Sequence, residues 1–371
     1  MALQTRRPGA PMTSAQRGRT SPRRLVEAVA SGVLAAALLV WGLPLVAGAS
    51  WSDIAGVLAD LTLAQLALLA VVWQLGLWVH TVALAAAMPG LSHPRAYFLN
   101  LTGSAVSNVL PLGGAAGTAL NYSTCRVWGF STPVFLRWAI VTNIWDTLGK
   151  LVIPGVALLW LAADRTRSPG DLVSAALGSV VLLAVLVLLT WYAMRHDAIA
   201  RSVGRAMDWV VSHLRPRRRR QRTAEGRRGS GWYAEQAEVF RRESAALVGA
   251  AWWRLTVGKA SYAACQAMLL WLCLRVLGAE VSPAVAFAAF AAERVLSLAV
   301  LTPGATGVVE VGMTGMLVAF GVAPATAAAS VLLYRAFVVG LEIPTGGAAM
   351  AWWLLRQRAS RVSAPRGNIS G

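Results

Sequence analysis

Six stretches of this chain run for 23 to 32 residues with few charges: 27–49, 62–87, 133–162, 171–194, 248–278 and 324–355. A helix needs about 20 predominantly apolar residues to cross the hydrocarbon core of a bilayer, so each stretch is long enough to span. Charged residues make up 13% of the chain and hydrophobic residues 57%, with a mean hydropathy of +0.57. A soluble domain carries about 25% charge, so the composition agrees with the runs. The pattern predicts an all-α, polytopic transmembrane helix bundle.

Two further apolar regions, 97–130 and 284–320, are broken in the middle by proline and glycine. Their halves of about 14 to 17 residues are marginal for crossing, and read best as re-entrant helical hairpins. The expected architecture is therefore about six full spans plus two such hairpins. Cys125, Cys265 and Cys273 lie in or beside apolar segments without metal-ligand spacing and read as packing residues. Residues 1–24 hold six arginines and no acid, which predicts a disordered basic arm ahead of a retained first span.

The net charge of +18 is concentrated in three places: the N-terminal arm, the segment 195–247 with its run Arg217 to Arg220, and the tail 356–371. The connections near 50–61, 163–171 and 279–283 hold Asp53, Asp60, Asp164, Asp171 and Glu280. The positive-inside rule then predicts cytoplasmic N- and C-termini, in the inner (plasma) membrane of a cell. Arginine is used almost to the exclusion of lysine, with only Lys150 and Lys259, a codon bias expected of a GC-rich bacterial genome. No aromatic residue interrupts the basic run from Arg215 to Arg228, so the loop predicts attachment to anionic lipid and no nucleic-acid partner. Counting spans from a cytoplasmic N-terminus closes only if each broken region enters and leaves on one side, the first from the cytoplasm and the second from outside.

The two broken regions resemble each other. LPLGGAAG, Leu110 to Gly117, aligns with LTPGATG, Leu301 to Gly307, at a shift of 190 that also superposes Pro154 on Pro344. The chain thus reads as a transmembrane unit of 25–355 made of two halves, about 25–194 and 248–355, with opposite orientation. Inverted repeats interrupted at matching positions predict a substrate site at their interface and alternating access.

Non-helical backbone at membrane depth must be buried in protein or line a water-filled cavity. The tips at Gly114 and Gly117, and at Pro303, Gly304 and Gly307, are therefore candidate substrate-binding elements, each followed by a half-helix whose free N–H groups suit a phosphate. Ionisable residues inside apolar segments cost several kcal/mol and are functional candidates by default. Those selected are Asp146, Arg294, Glu310 and Arg335, with Glu293 and Glu342 nearby. Asp146 and Lys150 stand four apart, the spacing of a local ion pair. His80 reads as a packed, hydrogen-bonded histidine, and Arg126 and Arg137 as interfacial residues that snorkel. No catalytic signature is found, and no cofactor or metal is expected.

The run Thr302-Pro303-Gly304-Ala305-Thr306-Gly307-Val308-Val309-Glu310, followed by Gly321-Val322, Leu332-Leu333-Tyr334-Arg335 and Pro344, resembles a "PGGxGxxE … GV … LLYR … P" pattern. That pattern belongs to the lysylphosphatidylglycerol synthase transmembrane region, a family of flippase-like membrane proteins. The resemblance covers about 25–355, with Ala305 standing where a second glycine is usual and Thr118 where many relatives carry an acid. It implies a bundle that moves a lipid between leaflets, such as an aminoacylated phospholipid or a polyprenyl-phosphate-linked sugar. The soluble aminoacyltransferase domain of the larger members is not expected here. An intramembrane transferase using a lipid-linked donor, and a non-catalytic subunit that recruits partners, are the alternatives left open, as is assembly into a homo-oligomer.

Overall fold

The computed structural model describes residues 22–110, 113–163, 232–298 and 302–362. Among them there are helices and no strand. Five helical segments are long and apolar enough to cross a membrane: Val29–Ala47, Leu63–Ala87, Thr132–Leu161, Glu238–Val276 and Pro324–Gln357. They coincide with five of the six expected spans. The sixth, 171–194, lies outside the described residues, as do residues 1–21 of the basic arm, the arginine run and most of the basic tail; Pro22, Arg23 and Arg24, expected in the disordered arm, instead open the first helix.

The first span is helix α1, Pro22–Ala37, a wide π-turn over Leu38–Gly42, and α2, Leu43–Ala47. Pro44 explains the wide turn. It has no N–H to give to the carbonyl of Val40, and its ring would collide with that carbonyl in a regular helix. The Trp51 indole N–H donates to the freed Val40 carbonyl at 3.0 Å. A second π-turn, Ala336–Leu341, precedes Pro344 in the same way, dividing the last span into α11, Pro324–Arg335, and α12, Glu342–Val362.

Capping residues set the starts of α3, Trp51–Ala59, and α4, Leu63–Ala87. The Ser50 and Thr62 hydroxyls accept from the N–H groups of Asp53 and Gln65, whose side chains reach back to the cap N–H groups. Ser50 bonds also hold the exposed Asp53 carboxyl below its usual range. The first broken region folds as α5, His93–Val109, and α6, Gly113–Val127, packed against each other. The second folds as α9, Pro283–Leu296, a 3₁₀ turn at Pro303–Ala305, and α10, Val308–Ala319, also packed together. Between the hairpins lie α7, Thr132–Ala163, and the long α8, Trp232–Val276. Residues 232–247, expected within the arginine-rich loop, are instead the first turns of α8. Their Ala, Glu, Gln and Arg content favours helix, and Glu238 and Arg242 form an i,i+4 ion pair on it.

Element positions recur at an offset of 190: α5 begins at His93 and α9 at Pro283, while α6 begins at Gly113 and the 3₁₀ turn at Pro303. The packing partners cross over between these sets. Helix α4 runs antiparallel to α8, with Gln65 at Val276, Gly76 at Cys265 and Ala83 at Gly258. Helix α5 lies antiparallel on α12, with Phe98 at Trp353 and Leu101 at Gly346, and α9 lies on α7, with Phe287 at Trp160. The first span packs on α10 and α11 through Leu43, Ala47, Ala328 and Ala329. One end of the bundle, around Met88, Phe135 and Leu255, carries Arg95, Arg126 and Arg137. The exposed Arg126 donates to the Phe130 carbonyl, and Arg137 pairs with Glu243 on α8.

Candidate functional site

The tip of the second hairpin is built on unusual backbone. Gly304 and Gly307 have φ of 59° and 87°, and Ala305 has φ of 54°, the left-handed region that costs a residue with a Cβ about 1–2 kcal/mol. At Gly307 a Cβ would also stand 2.6 Å from Leu38 Cβ and 2.9 Å from the Ala35 carbonyl oxygen. Glycine therefore lets the first span lie directly against the start of α10.

Buried charge holds this tip. Glu310, 3% exposed, accepts from the Gly307 N–H at 2.6 Å through Oε2 and from Arg335 Nε at 2.7 Å through Oε1. Arg335 also donates to the Gly304 carbonyl at 2.8 Å and lies 3.7 Å from Glu293 Oε1. Glu293 in turn accepts from Arg294 at 2.5 Å and from the Tyr334 hydroxyl at 2.9 Å. One network thus ties α9, the tip, α10 and α11. The N-terminus of α10, a place suited to an external anion, already faces the carboxylate of its own first turn.

The first hairpin is held by close packing. A Cβ on Gly113 would fall 1.9 Å from the Ser107 carbonyl oxygen, one on Gly117 would fall 2.6 Å from that of Gly103, and Ser107 Oγ donates to the Gly113 carbonyl at 3.0 Å. Gly114 differs: a Cβ there would meet nothing within 4 Å. No acid stands in the first turn of α6.

Between the tips lies a cavity of ≈ 550 Å³. Of the residues singled out from sequence, Gly114, Gly117, Asp146, Arg294, Pro303, Gly304 and Arg335 line it. Gly307 and Glu310 do not; they sit behind the second tip, against the first span and Arg335. The expected pair of Asp146 with Lys150 is replaced by a 2.6 Å ion pair with Lys259 on α8. Helix α8 lies across α7 and presents its lysine directly to the carboxylate, which a reading of one helix in isolation could not anticipate. His80 also departs from expectation. Its ring stacks on Tyr262 at 4.2 Å and 3°, yet neither ring nitrogen has a hydrogen-bond partner.

Several lining residues were not singled out from sequence: Lys259, Tyr262 and Gln266 on α8, Asn100, Ser104 and Ser107 on α5, and Asn121 on α6. A signal was present. The α8 set and the α5 set, each spaced three, four and seven apart, form a polar stripe on one face of their helix. Like His80, Asn100 Nδ2, Asn121 Oδ1, Gln266 Oε1 and Arg294 Nε are buried without partners. Among the described residues no group of three His, Cys, Asp or Glu could hold a metal ion, and the three cysteines are free thiols.

An all-helical polytopic bundle with a charged cavity between two broken helical hairpins defines a membrane protein whose polar chemistry lies inside its span region. Residues 28–343 match the family model described as the lysylphosphatidylglycerol synthase TM region, and the chain belongs to that family. The family associates it with membrane lipid. No curated protein is significantly similar in sequence to the chain.

Proposed function

We propose that the chain is a lipid transporter that moves a phospholipid or polyprenyl-phosphate-linked lipid between leaflets without altering it chemically. The observation that carries this reading is the cavity itself. Both hairpin tips border it, and four cations and a set of unpartnered amide and imidazole groups face or back it. Buried polar atoms without partners are costly in a finished core, and a passing head group would satisfy them.

The offset of 190 between the hairpins, with α4 and α8 antiparallel, supports an inverted repeat around this cavity. The arms of the hairpins hold 17, 15, 14 and 12 residues. At 1.5 Å per residue these are about 18 to 26 Å long, short of the roughly 30 Å hydrocarbon core, which supports re-entry from one side. Rocking of the halves would then open the cavity to one leaflet and afterwards to the other. Arg95, Arg126 and Arg137 at one end of the bundle favour cytoplasmic termini in a bacterial plasma membrane, with the arginine-rich segment that precedes α8 against anionic lipid.

The test is translocation of short-tailed fluorescent lipids in proteoliposomes. Gly114→Leu places a side chain into open cavity space without a backbone clash, so translocation should fall to the level of empty vesicles while the protein remains folded. Unchanged translocation in that variant would remove the cavity from the mechanism. A chemically modified lipid produced by the purified protein would replace transport with transfer.

A further inference from the structure

Among the described residues, one cation of the cavity has no counter-ion. Lys150, Lys259, Arg294 and Arg335 all line the wall. Asp146 is engaged by Lys259 at 2.6 Å, Glu293 by Arg294 at 2.5 Å, and Glu310 by Arg335 at 2.7 Å. Each of these carboxylates is thus committed to another residue. Asp146 and Glu293 act on Lys150 only from beyond ion-pair distance, and Arg294 repels it. Among the described residues no hydrogen bond or ion pair reaches the Lys150 ammonium. The remaining carboxylate, Glu342, is 4% exposed on α12, a different helix, and has no ion-pair partner among the described residues.

A half-buried ammonium without a counter-ion is expensive inside a membrane protein unless an anion comes to it. A second feature of the same cavity points the same way. The N-terminus of α6, at Gly113 and Gly114, borders the cavity with no acid in its first turn, whereas α10 is capped by Glu310. Its positive dipole end thus faces the cavity with no acidic side chain in the first turn to satisfy it.

We infer that Lys150 is the anion anchor of this cavity, and that its ammonium takes the phosphate of the transported lipid. That the phosphate belongs to a lipid rests on the transport reading above; that Lys150 binds an oxyanion does not. Asp146 acts as a positioning residue. By holding Lys259 it leaves Lys150, among the described residues that line the cavity, as the uncommitted cation, which suits a singly charged phosphodiester.

Binding to the purified full-length protein in nonionic detergent separates the two ideas. The probes are a short-chain phosphatidylglycerol, a short-chain diacylglycerol without phosphate, and inorganic phosphate. Lys150→Met should weaken phosphatidylglycerol binding about tenfold, the worth of one charge-assisted hydrogen bond, while Lys150→Arg should retain it. Asp146→Asn releases Lys259 and should tighten binding. Among the described residues Lys150 has no ion-pair partner to lose, so Lys150→Met should melt no lower than the parent without ligand. If that variant fails to fold, Lys150→Gln and Asp146→Asn carry the test. Equal affinity of parent and Lys150→Met, or equal binding of diacylglycerol and phosphatidylglycerol, overturns the inference. Lys150-dependent binding of inorganic phosphate as tight as that of the lipid supports the anchor and counts against a lipid substrate.

Discussion

The two hairpins share a plan and are held by different physics. The α9–α10 tip depends on buried charge: Glu310, Arg335 and Glu293 form a chain of ion pairs around a backbone with positive φ at Gly304, Ala305 and Gly307. The α5–α6 tip depends on contact: Gly103, Gly113 and Gly117 bring the two arms together, and Leu120 stands at the 190 offset from Glu310. The consequence is that one tip has its helix N-terminus satisfied from within and the other leaves it facing the cavity. A charged network resists movement, because separating any one member strands another in a low dielectric. The difference points to a division of labour, with the second hairpin as a fixed wall and the first as the ligand-facing one.

The largest expected effect falls on the fixed wall. Arg335→Ala strands Glu310 and leaves Glu293 with fewer partners, and should cost about 3–5 kcal/mol, as removal of one member of a buried ion pair does. The matching change in the first hairpin, Ser107→Ala, removes one neutral hydrogen bond and should cost about 1 kcal/mol. Both are measured by denaturant unfolding in mixed micelles. If Ser107→Ala is as damaging as Arg335→Ala, the two tips are not held differently.

Glycine substitutions separate the tips next. Gly307→Ala meets Leu38 and the Ala35 carbonyl and also carries an unfavourable φ of 87°. Overpacking and the left-handed backbone each cost about 1–3 kcal/mol, so a loss of about 3 kcal/mol is expected, read as a lower melting temperature. Gly114→Ala meets open space. It should change stability by less than about 1 kcal/mol, on the stabilising side, because alanine favours helix over glycine. A thermal scan of the pair that gave equal losses would show that the first tip is as tightly enclosed as the second.

Sequence reading reached the architecture because bilayer length is written directly into the apolar runs. Five spans and the second hairpin break stand where the pattern placed them; the first break falls before Gly113, so Gly114 and Gly117, expected at a non-helical tip, lie within the regular helix α6. Arg335 and Glu310 were legible for the same reason, since charge inside an apolar run has few uses. What escaped was pairing between helices. Asp146 was read with Lys150 one turn away because i,i+4 spacing is visible in a sequence, whereas Lys259 lies 113 positions along the chain. Lys259, Tyr262 and Gln266 mark one helix face by their spacing, but Tyr262 and Gln266 carry no charge and look like ordinary span residues. The crossing of the first span onto α10 and α11 left no periodic trace, since the contact is made by Leu38, Leu43 and Ala47, residues as apolar as those facing lipid.

The smallest expected effect concerns Ala305, where the related pattern carries glycine. Its φ of 54° places an L side chain in a region that glycine enters freely. Replacing it with glycine relieves about 1–2 kcal/mol of backbone strain and gives back about 0.4–1 kcal/mol in unfolded-state entropy, so Ala305→Gly should stabilise by about 1 kcal/mol or less. Ala116, one residue before the cavity-lining Gly117, sits within the regular helix α6 and has no positive φ. Ala116→Gly should therefore destabilise, by up to about 1 kcal/mol. Opposite signs at these two alanines, measured by the same unfolding assay, would locate the backbone strain in the charged tip alone. A loss at Ala305 would mean that the ion network around Arg335 does not hold that residue in the left-handed region.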